Sequence, residues 1–180
     1  MTFEEHITER GGSFISKINP FFIDYTDEII TFPLWTVNGR FVGYQRYFWK
    51  ADKLKNNSDL GRYYTYRSKE VLTAWGLEYL DLFSTEPLYI VEGIWDAISI
   101  INTGKRSLAV LSNNPKSLVN WFKTLPCKTI AVCDGDRAGK KLAGCCDYNI
   151  ILPEGFDCNN ISGEKLEKVL NEYKNIIRKP

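Results

Sequence analysis

Two clusters of acidic residues in the second half of the chain have the types and spacing needed to bind divalent cations. Glu92 and Asp96 follow one apolar run, and Asp134 and Asp136 follow another. The two runs are residues 88–91 and 129–133. Each cluster lies where a predicted buried strand ends and a helix begins, which is where open α/β sheets bind ligands. Carboxylate oxygens gathered there suit Mg²⁺ rather than zinc.

The spacing within each cluster turns its carboxylates in a common direction. Glu92 and Asp96 are four residues apart and share one face of a helix. Asp134 and Asp136 are two apart and point the same way in extended backbone. Asp157 follows the fourth predicted strand. Clustered carboxylates repel one another, and one or two divalent cations would compensate them in a site for phosphoryl or nucleotidyl transfer. The alternative is that Asp and Gly at such junctions serve only as caps and turns.

From residue 87 the pattern alternates between strand and helix, which predicts a parallel sheet with right-handed crossovers. The predicted strands are 88–91, 108–111, 129–133 and 148–152. Helices are predicted at 94–102 and 138–146. Another is predicted to run to about 123, with Asn114 as its cap and Pro115 at its first position. Ser162 can cap a last helix that runs to about 176.

Residues 1–86 have the pattern of a mixed α/β segment rich in aromatic residues. Residues 29–35 and 41–47 are strand-like, and Asn38-Gly39 between them predicts a hairpin. Residues 71–82 are compatible with helix or with irregular structure.

The charge balance excludes a protein that is basic overall. Net charge is +1, so a nucleic-acid partner would need a local basic patch. Eight basic residues interleaved with aromatics between Arg40 and Lys69 offer one. The same run also fits a solvated charged face over an aromatic core, and both interpretations stay open.

Cysteine and histidine usage predicts no zinc site. The five cysteines form no C-x-x-C pair, and His6 is the single histidine. Reduced thiols in the cytoplasm fit an odd cysteine count better than disulfides do. The N-terminus is too acidic for a signal peptide, and no apolar run approaches the roughly 20 residues that span a membrane. We therefore expect a cytoplasmic protein without a membrane partner.

Glu92-Gly93 after one strand, with Asp134-Gly135-Asp136 and Ala138-Gly139 after a later one, resembles the Toprim domain. That domain is shared by bacterial-type primases, topoisomerases, some nucleases and recombination proteins. The resemblance covers residues 87–160 and implies a Rossmann-like parallel sheet with helices on both faces. A small mixed α/β subdomain, 1–86, would precede it and a C-terminal helix, 161–180, would follow.

Motifs in the first half narrow the resemblance to the RNA-polymerase core of bacterial and phage primases. Phe32-Pro33-Leu34-Trp35 and the following 39–46 segment resemble the hairpin that precedes Toprim there. Arg62-Tyr63-Tyr64-Thr65-Tyr66 and Trp75-Gly76-Leu77 resemble the next segments of that core, and Asp157-Cys158-Asn159 resembles the later acidic motif.

The resemblance implies roles for individual residues. Glu92 would be the metal-linked catalytic acid or base, and Asp134 and Asp136 would complete the catalytic set and bind Mg²⁺ or Mn²⁺. Asp96 and Asp157 would complete the metal shell. The residues expected to hold nucleotide phosphates or nucleic acid are Arg40, Arg46, Arg62, Lys50 and Arg137.

The function that follows is a primase-like DNA-directed RNA polymerase that makes short RNA primers on single-stranded DNA from ribonucleoside triphosphates. Because the zinc-binding domain and helicase segments usual in primases do not occur here, we expect a phage or plasmid product that depends on a helicase or a separate template-recognition protein. A metal-dependent Toprim nuclease is one alternative. Another is a non-catalytic nucleic-acid or replisome-binding module that uses Trp35, Tyr44, Tyr47, Phe48 and Trp49.

Overall fold

The computed structural model describes residues 1–11, 22–54, 56–68, 71–112, 115–134, 139–161 and 163–177. The chain divides into two compact units, Met1–Glu78 and Tyr79–Pro180.

The first unit is built on an antiparallel sheet in the order β1-β2-β3-β4. A short helix, α1, precedes it and is fixed by a capping box in which Thr2 Oγ1 accepts the Glu5 amide at 3.2 Å and Glu5 Oε2 accepts the Thr2 amide at 2.6 Å. Helix α1 spans Phe3–Glu9, and strands β1 to β4 span Phe22–Asp24, Ile29–Trp35, Phe41–Phe48 and Tyr63–Arg67.

The predicted hairpin joins β2 to β3. Gly39 has φ of 77°, the left-handed conformation that glycine adopts without strain, and the Gly39 amide donates to the Thr36 carbonyl at 2.9 Å. The pairing shifts by one residue between Leu34 and Trp35. Residues 71–82 are irregular, with a single 3₁₀ turn at Leu77–Tyr79.

Alternation along the strands gives this sheet a buried face. Ile30, Phe32 and Leu34 are fully buried, and Tyr47 on the neighbouring strand is 1% exposed. Trp75 packs edge-on against Phe32, with 6.2 Å between ring centroids.

The second unit contains a parallel sheet in the order β6-β5-β7-β8, flanked by helices, as the α/β pattern predicts. All residues of the central strands β5 and β7 are buried, which explains their continuous apolar sequences. Strands β5 to β8 span Leu88–Val91, Arg106–Ala109, Thr129–Cys133 and Tyr148–Ile151. Helices α2 to α5 span Ile94–Asn102, Lys116–Phe122, Gly139–Ala143 and Gly163–Ile177.

Several predicted boundaries move. The second parallel strand was expected at 108–111, but β6 spans Arg106–Ala109 because Leu111 has φ of 56° and ends the extended backbone. Pro115 caps α3 instead of occupying its first helical position. The expected caps Asn114 and Ser162 and the expected helix start Ala138 lie outside the described residues.

Arg106 ties the beginning of the second unit to its sheet. Its guanidinium donates to the carbonyl oxygens of Asp81 at 2.7 Å and of Ser84 at 3.4 Å, and also to that of Glu86. This edge-strand arginine therefore holds the segment that leads into β5. In the described part of the chain, no helix is both long and apolar enough to cross a membrane.

Candidate active site

Glu92 and Asp134 stand at the carboxyl ends of two adjacent parallel strands. Strands β5 and β7 pair with Ile90 opposite Ala131, so each chain leaves the sheet at the same edge. The Glu92 carbonyl accepts the Leu111 amide at 2.9 Å, which fixes the turn after β5 to the turn after β6. Glu92 is half-buried and Asp134 is exposed. The sheet thus brings together two acidic residues 42 positions apart in sequence.

Asp96 is held over the turn that begins α2. Gly93 is the N-cap of that helix, and Asp96 lies three residues on, where a negative charge favours the helix N-terminus. A Cβ added at Gly93 would lie 2.7 Å from Asp96 Oδ2. Glycine at this position therefore leaves room for the carboxylate beside the main chain next to Glu92.

Asp157 is oriented by a tight turn after β8. Its Oδ1 accepts the amides of Asn159 at 2.9 Å and Asn160 at 2.8 Å, and its own amide donates to Asn160 Oδ1 at 2.9 Å. Asn159 Nδ2 in turn donates to Ser99 Oγ on α2 at 3.1 Å. The turn carrying Asp157 is thereby attached to the helix that carries Asp96.

Two buried thiols report how these carboxylates are grouped. Burial raises the pKa of Cys133 to about 12, and the charges of Glu92 and then Asp134 contribute to the rise. Burial also raises the pKa of Cys158 well above its ordinary value, with further contributions from Asp96, Asp134 and Asp157. Together with the strand pairing and the contact between Asn159 and Ser99, these effects place Glu92, Asp96, Asp134 and Asp157 around one edge of the sheet, and their role in binding a metal stays a prediction.

The donor chemistry of this edge fits a hard divalent cation, because the acidic side chains supply only oxygen. In residues 1–177, gaps excepted, no three His, Cys, Asp or Glu side chains come close enough to hold one ion. An ion here would complete its shell with water or substrate oxygens, as Mg²⁺ commonly does. The expected ligand Asp136 and the expected phosphate contact Arg137 lie outside the described residues.

The basic residues expected to hold phosphate occupy different places in the first unit. Arg40 is exposed on the hairpin turn. Lys50 Nζ is paired with Glu28 Oε2 at 2.5 Å, which offsets its charge. Arg46 lies with its guanidinium carbon 5.6 Å from the Tyr64 ring centroid. Arg62 Nε donates to the Ala51 carbonyl at 2.8 Å.

Arg62 belongs to a cationic cluster that the sequence analysis missed. Arg10 Nη1 donates to the Tyr47 hydroxyl at 3.1 Å and to the Tyr63 hydroxyl at 3.4 Å, and His6 Nε2 lies 2.7 Å from the same Tyr47 hydroxyl. Burial, then the charge of Arg10, lowers the pKa of His6, and Arg62 lowers it further. The available signal was the spacing of His6 and Arg10, which are four residues apart, with Arg10 as the C-cap of α1.

The proposed aromatic binding surface is partly wrong. Tyr47 is 1% exposed, so it cannot form part of an exposed surface. Trp49 donates from Nε1 to Glu28 Oε2 at 2.7 Å and packs against the His6 ring at 4.9 Å between centroids. Trp35 pairs edge-on with Phe41 at 5.5 Å. Tyr44 faces the opposite side of the sheet from Tyr47, because the two are three residues apart in one strand.

Residues 89–174 match the family model described as Toprim-like. Most of the second unit is therefore similar to this family, and the resemblance seen in the sequence is confirmed. No curated protein matches the sequence.

Among the solved structures that the chain resembles are catalytic cores of DNA primases. The DnaG catalytic core superposes with a TM-score of 0.62 at 19% identity, over 80% of this chain and 52% of that one. A DnaG primase catalytic domain bound to ssDNA superposes with a TM-score of 0.60 at 17% identity, over 88% of this chain and 59% of that one. The primase fragment of the bacteriophage T7 primase-helicase protein superposes with a TM-score of 0.57 at 16% identity, over 80% of this chain and 62% of that one. The fold is thus similar to that of these catalytic cores, and the chain spans between half and two thirds of the length of these structures.

Proposed function

We propose that this protein is a primase-like nucleotidyltransferase that makes short RNA primers on single-stranded DNA. The observation that carries the proposal is the placement of Glu92 and Asp134 at the ends of adjacent parallel strands, with Asp96 and Asp157 at the same edge. The Toprim-like match and the primase-like fold support it.

In the proposed reaction, the 3′-hydroxyl oxygen of one nucleotide attacks the α-phosphorus of the next. The bond from that phosphorus to its bridging oxygen breaks, and pyrophosphate leaves. Glu92, half-buried beside the strand end, accepts the hydroxyl proton. Mg²⁺ or Mn²⁺ held by Glu92, Asp134 and Asp136, with Asp96 and Asp157 nearby, would supply Lewis-acid activation and charge neutralisation.

The cationic side chains of the first unit are the proposed phosphate contacts. Arg10 donates to the hydroxyl of the half-buried Tyr63 at 3.4 Å, and Arg62 lies next to Tyr63 in the chain, so this end of β4 offers cations and a hydroxyl that suit phosphate oxygens. Arg40, Arg46, Lys50 and Arg137 remain proposed contacts to the triphosphate or to the template backbone. Of these residues, Lys50 would contribute least to binding phosphate, because Glu28 already pairs with it.

The proposed partners are a single-stranded DNA template, ribonucleoside triphosphates and a replicative helicase or separate template-recognition protein. One similar structure is a primase domain bound to ssDNA, and another comes from a primase-helicase protein. We place the reaction in phage or plasmid DNA replication in the cytoplasm.

The test is primer synthesis by the purified chain with labelled ribonucleoside triphosphates, mixed-sequence single-stranded DNA and Mg²⁺ or Mn²⁺. Asp134→Asn and Glu92→Gln should each reduce synthesis at least about 100-fold, because each removes a charge that acts on the reacting groups. Glu167→Gln, an exposed carboxylate on α5, is the matched control and should keep wild-type activity.

Other outcomes would replace the proposal. Synthesis that survives both substitutions would refute the assigned site. Shortening of the template, lost in Asp134→Asn, would identify a nuclease that uses the same carboxylates with water as nucleophile. DNA binding with neither reaction, even after a replicative helicase is added, would identify a non-catalytic module.

A further inference from the structure

Strand β8 lies at one edge of the parallel sheet, and half of its main-chain groups face away from the sheet. The Leu152 amide donates to the Cys133 carbonyl at 2.9 Å, and Cys133 is paired with Ile151. Because main-chain groups alternate in direction along a strand, those of Ile150 and Leu152 face β7, whereas those of Asn149 and Ile151 face outward. Within the described ranges, no residue bonds to the amide or carbonyl of Asn149 or Ile151.

The side chains at this open edge are exposed, and the strand carries no charge. Ile151 is 49% exposed, Tyr148 is 37% exposed, and Asn149 is also exposed. Edge strands that stay single usually carry a charge or a proline, or are covered by another part of the chain. Strand β8, with the sequence Tyr148-Asn149-Ile150-Ile151, contains neither a charge nor a proline. Its outer edge is therefore suited to pairing with a further strand.

The other edge strands of the two sheets are protected against such pairing. Asn57 covers the edge of β4, because its Nδ2 donates to the Thr65 carbonyl and its Oδ1 accepts the Thr65 amide, both at 2.7 Å. Residues 107–109 of β6 are buried. Strand β1 ends in the exposed Asp24, a charge that disfavours pairing. The open edge of β8 is thus an exception within this protein.

We infer that β8 pairs in antiparallel orientation with β8 of a second copy of this chain, about a twofold axis at Ile150. In this register Asn149 of one copy lies opposite Ile151 of the other, and the two residues exchange both main-chain hydrogen bonds. The twofold axis repeats the pair, so every outward amide and carbonyl of Asn149 and Ile151 gains a partner. The two Ile151 side chains lie diagonally across the axis, within reach of each other.

Register and charge favour a second copy as the occupant of this edge. The free groups of Asn149 and Ile151 are placed symmetrically about Ile150, so the strand is complementary to itself. Asp147 would lie opposite Pro153 of the second copy, so no carboxylates oppose each other across the pair. Asp147 is also held by its own chain, since its Oδ2 accepts the Thr129 amide at 2.9 Å. Pro153 has no amide, so the pairing ends there without an unpaired donor.

Pairing of this kind would leave the acidic edge of each copy open. The carboxyl ends of the two parallel sheets would point in opposite directions, because the two β8 strands are antiparallel. The edges that carry Glu92 and Asp134 would then lie on opposite sides of the dimer. The inference goes beyond the proposed function and does not rest on it, since primer synthesis and self-association are measured separately.

The test is sedimentation velocity of the full chain at rising concentration, in which the wild type should form a dimer. Ile151→Lys should weaken association at least about tenfold, because two lysines then meet across the axis. The residue is 49% exposed, so a lysine there keeps contact with water in the single chain. Phe22→Lys is the matched control: it places the same charge on a 73% exposed residue of the edge strand β1 and should associate like wild type.

A pair of opposite charges tests the symmetry of the contact. Ile151→Glu should also be monomeric by itself, and mixing it with Ile151→Lys should restore association, since unlike charges then meet at the axis. A variant that fails to fold would not associate in the mixture, and circular dichroism melts would identify it.

Amide exchange followed by NMR tests the register at single residues. The amides of Asn149 and Ile151 should be protected in the wild-type dimer and exchange faster in Ile151→Lys, because only the second copy bonds to them. The Ile150 amide should stay protected in both proteins, since it faces β7.

Three results would overturn the inference. One is a wild-type chain that stays monomeric, which would leave the edge of β8 to a strand of another protein. Another is a dimer that Phe22→Lys dissociates and Ile151→Lys does not. The third is a mixture of Ile151→Lys and Ile151→Glu, both folded, that does not associate.

Discussion

The carboxylate of Asp96 occupies the space that a side chain at position 93 would need, since a Cβ on Gly93 would lie 2.7 Å from Asp96 Oδ2. Gly93 connects Glu92 to the first turn of α2. Glycine at position 93 therefore leaves space for the Asp96 carboxylate, and this matters more than any flexibility it gives the chain.

Gly93→Ala should displace the Asp96 side chain, lower the free energy of unfolding by about 1–3 kcal/mol and weaken Mn²⁺ binding. Urea denaturation and calorimetric Mn²⁺ titration would measure both effects. Gly163→Ala is the control, because a Cβ there meets nothing within 4 Å. Equal Mn²⁺ affinity in Gly93→Ala and wild type would show that Asp96 has no part in metal binding.

Asp157→Asn should separate the structural and electrostatic roles of that residue. An asparagine Oδ1 can accept the same amides of Asn159 and Asn160, so thermal stability should change by less than about 0.5 kcal/mol. The lost charge should weaken Mn²⁺ binding about tenfold, measured by calorimetry. Asn159→Ala is the converse control: it loses the bond to Ser99 and should cost about 1 kcal/mol of stability. A large loss of stability in Asp157→Asn would show that the charge of Asp157 also stabilises the fold.

Glu78 should make the protein less stable as pH rises toward neutrality. Burial raises its pKa to about 7 from 4.5, although the backbone amides of Glu78 and Gly76 oppose the shift. The folded state then holds a proton that the unfolded state has released, so stability is full below pH 4.5 and falls as pH rises to about 7, by up to about 3 kcal/mol. Glu78→Gln should remove this loss, which urea denaturation at pH 5 and pH 8 would measure. The same loss in wild type and Glu78→Gln would assign it to another group.

The pKa of His6 should lie below its ordinary value, and its effect on stability should depend on pH in the opposite direction to that of Glu78. Burial, then the charge of Arg10, lowers the pKa of His6 from 6.5. The unfolded state therefore binds the proton first, and this contribution to stability is present above pH 6.5 and lost as pH falls through the folded pKa. Because the chain has one histidine, NMR titration of its ring reports the midpoint directly.

Substitutions of opposite charge test the cause of the His6 shift. Arg10→Gln should raise the midpoint of His6, and Glu9→Gln should lower it, because Glu9 opposes the effect of Arg10. A midpoint that does not respond to either substitution would show that the charges of Arg10 and Glu9 do not set the pKa of His6.

Local patterns were enough to predict the main elements of the fold. The apolar runs before Glu92 and Asp134 are central strands, and the Asn38-Gly39 turn joins two paired strands. Predicted ends of strands and helices were less accurate where they depend on the backbone conformation of one residue. Strand β6 ends before Leu111 because that residue adopts positive φ, which its side chain does not reveal.

The faces of the first sheet show what alternation can and cannot predict. Spacing alone places Tyr44 and Tyr47 on opposite sides of β3. It does not say which side is buried. That choice follows from packing of His6 and Arg10 against the Tyr47 hydroxyl, contacts across 41 and 37 residues of sequence.

The sequence by itself determined the kinds of element and the positions of the acidic residues within them, because strand and helix periods and turn chemistry are local properties. Tertiary structure decided the strand order β6-β5-β7-β8, the meeting of the strand ends before Glu92 and Asp134 at one edge of the sheet, and the cross-strand rows of the first sheet. Each of these depends on contacts between residues far apart in the chain, and such contacts form only when the whole apolar surface of each unit is buried at once.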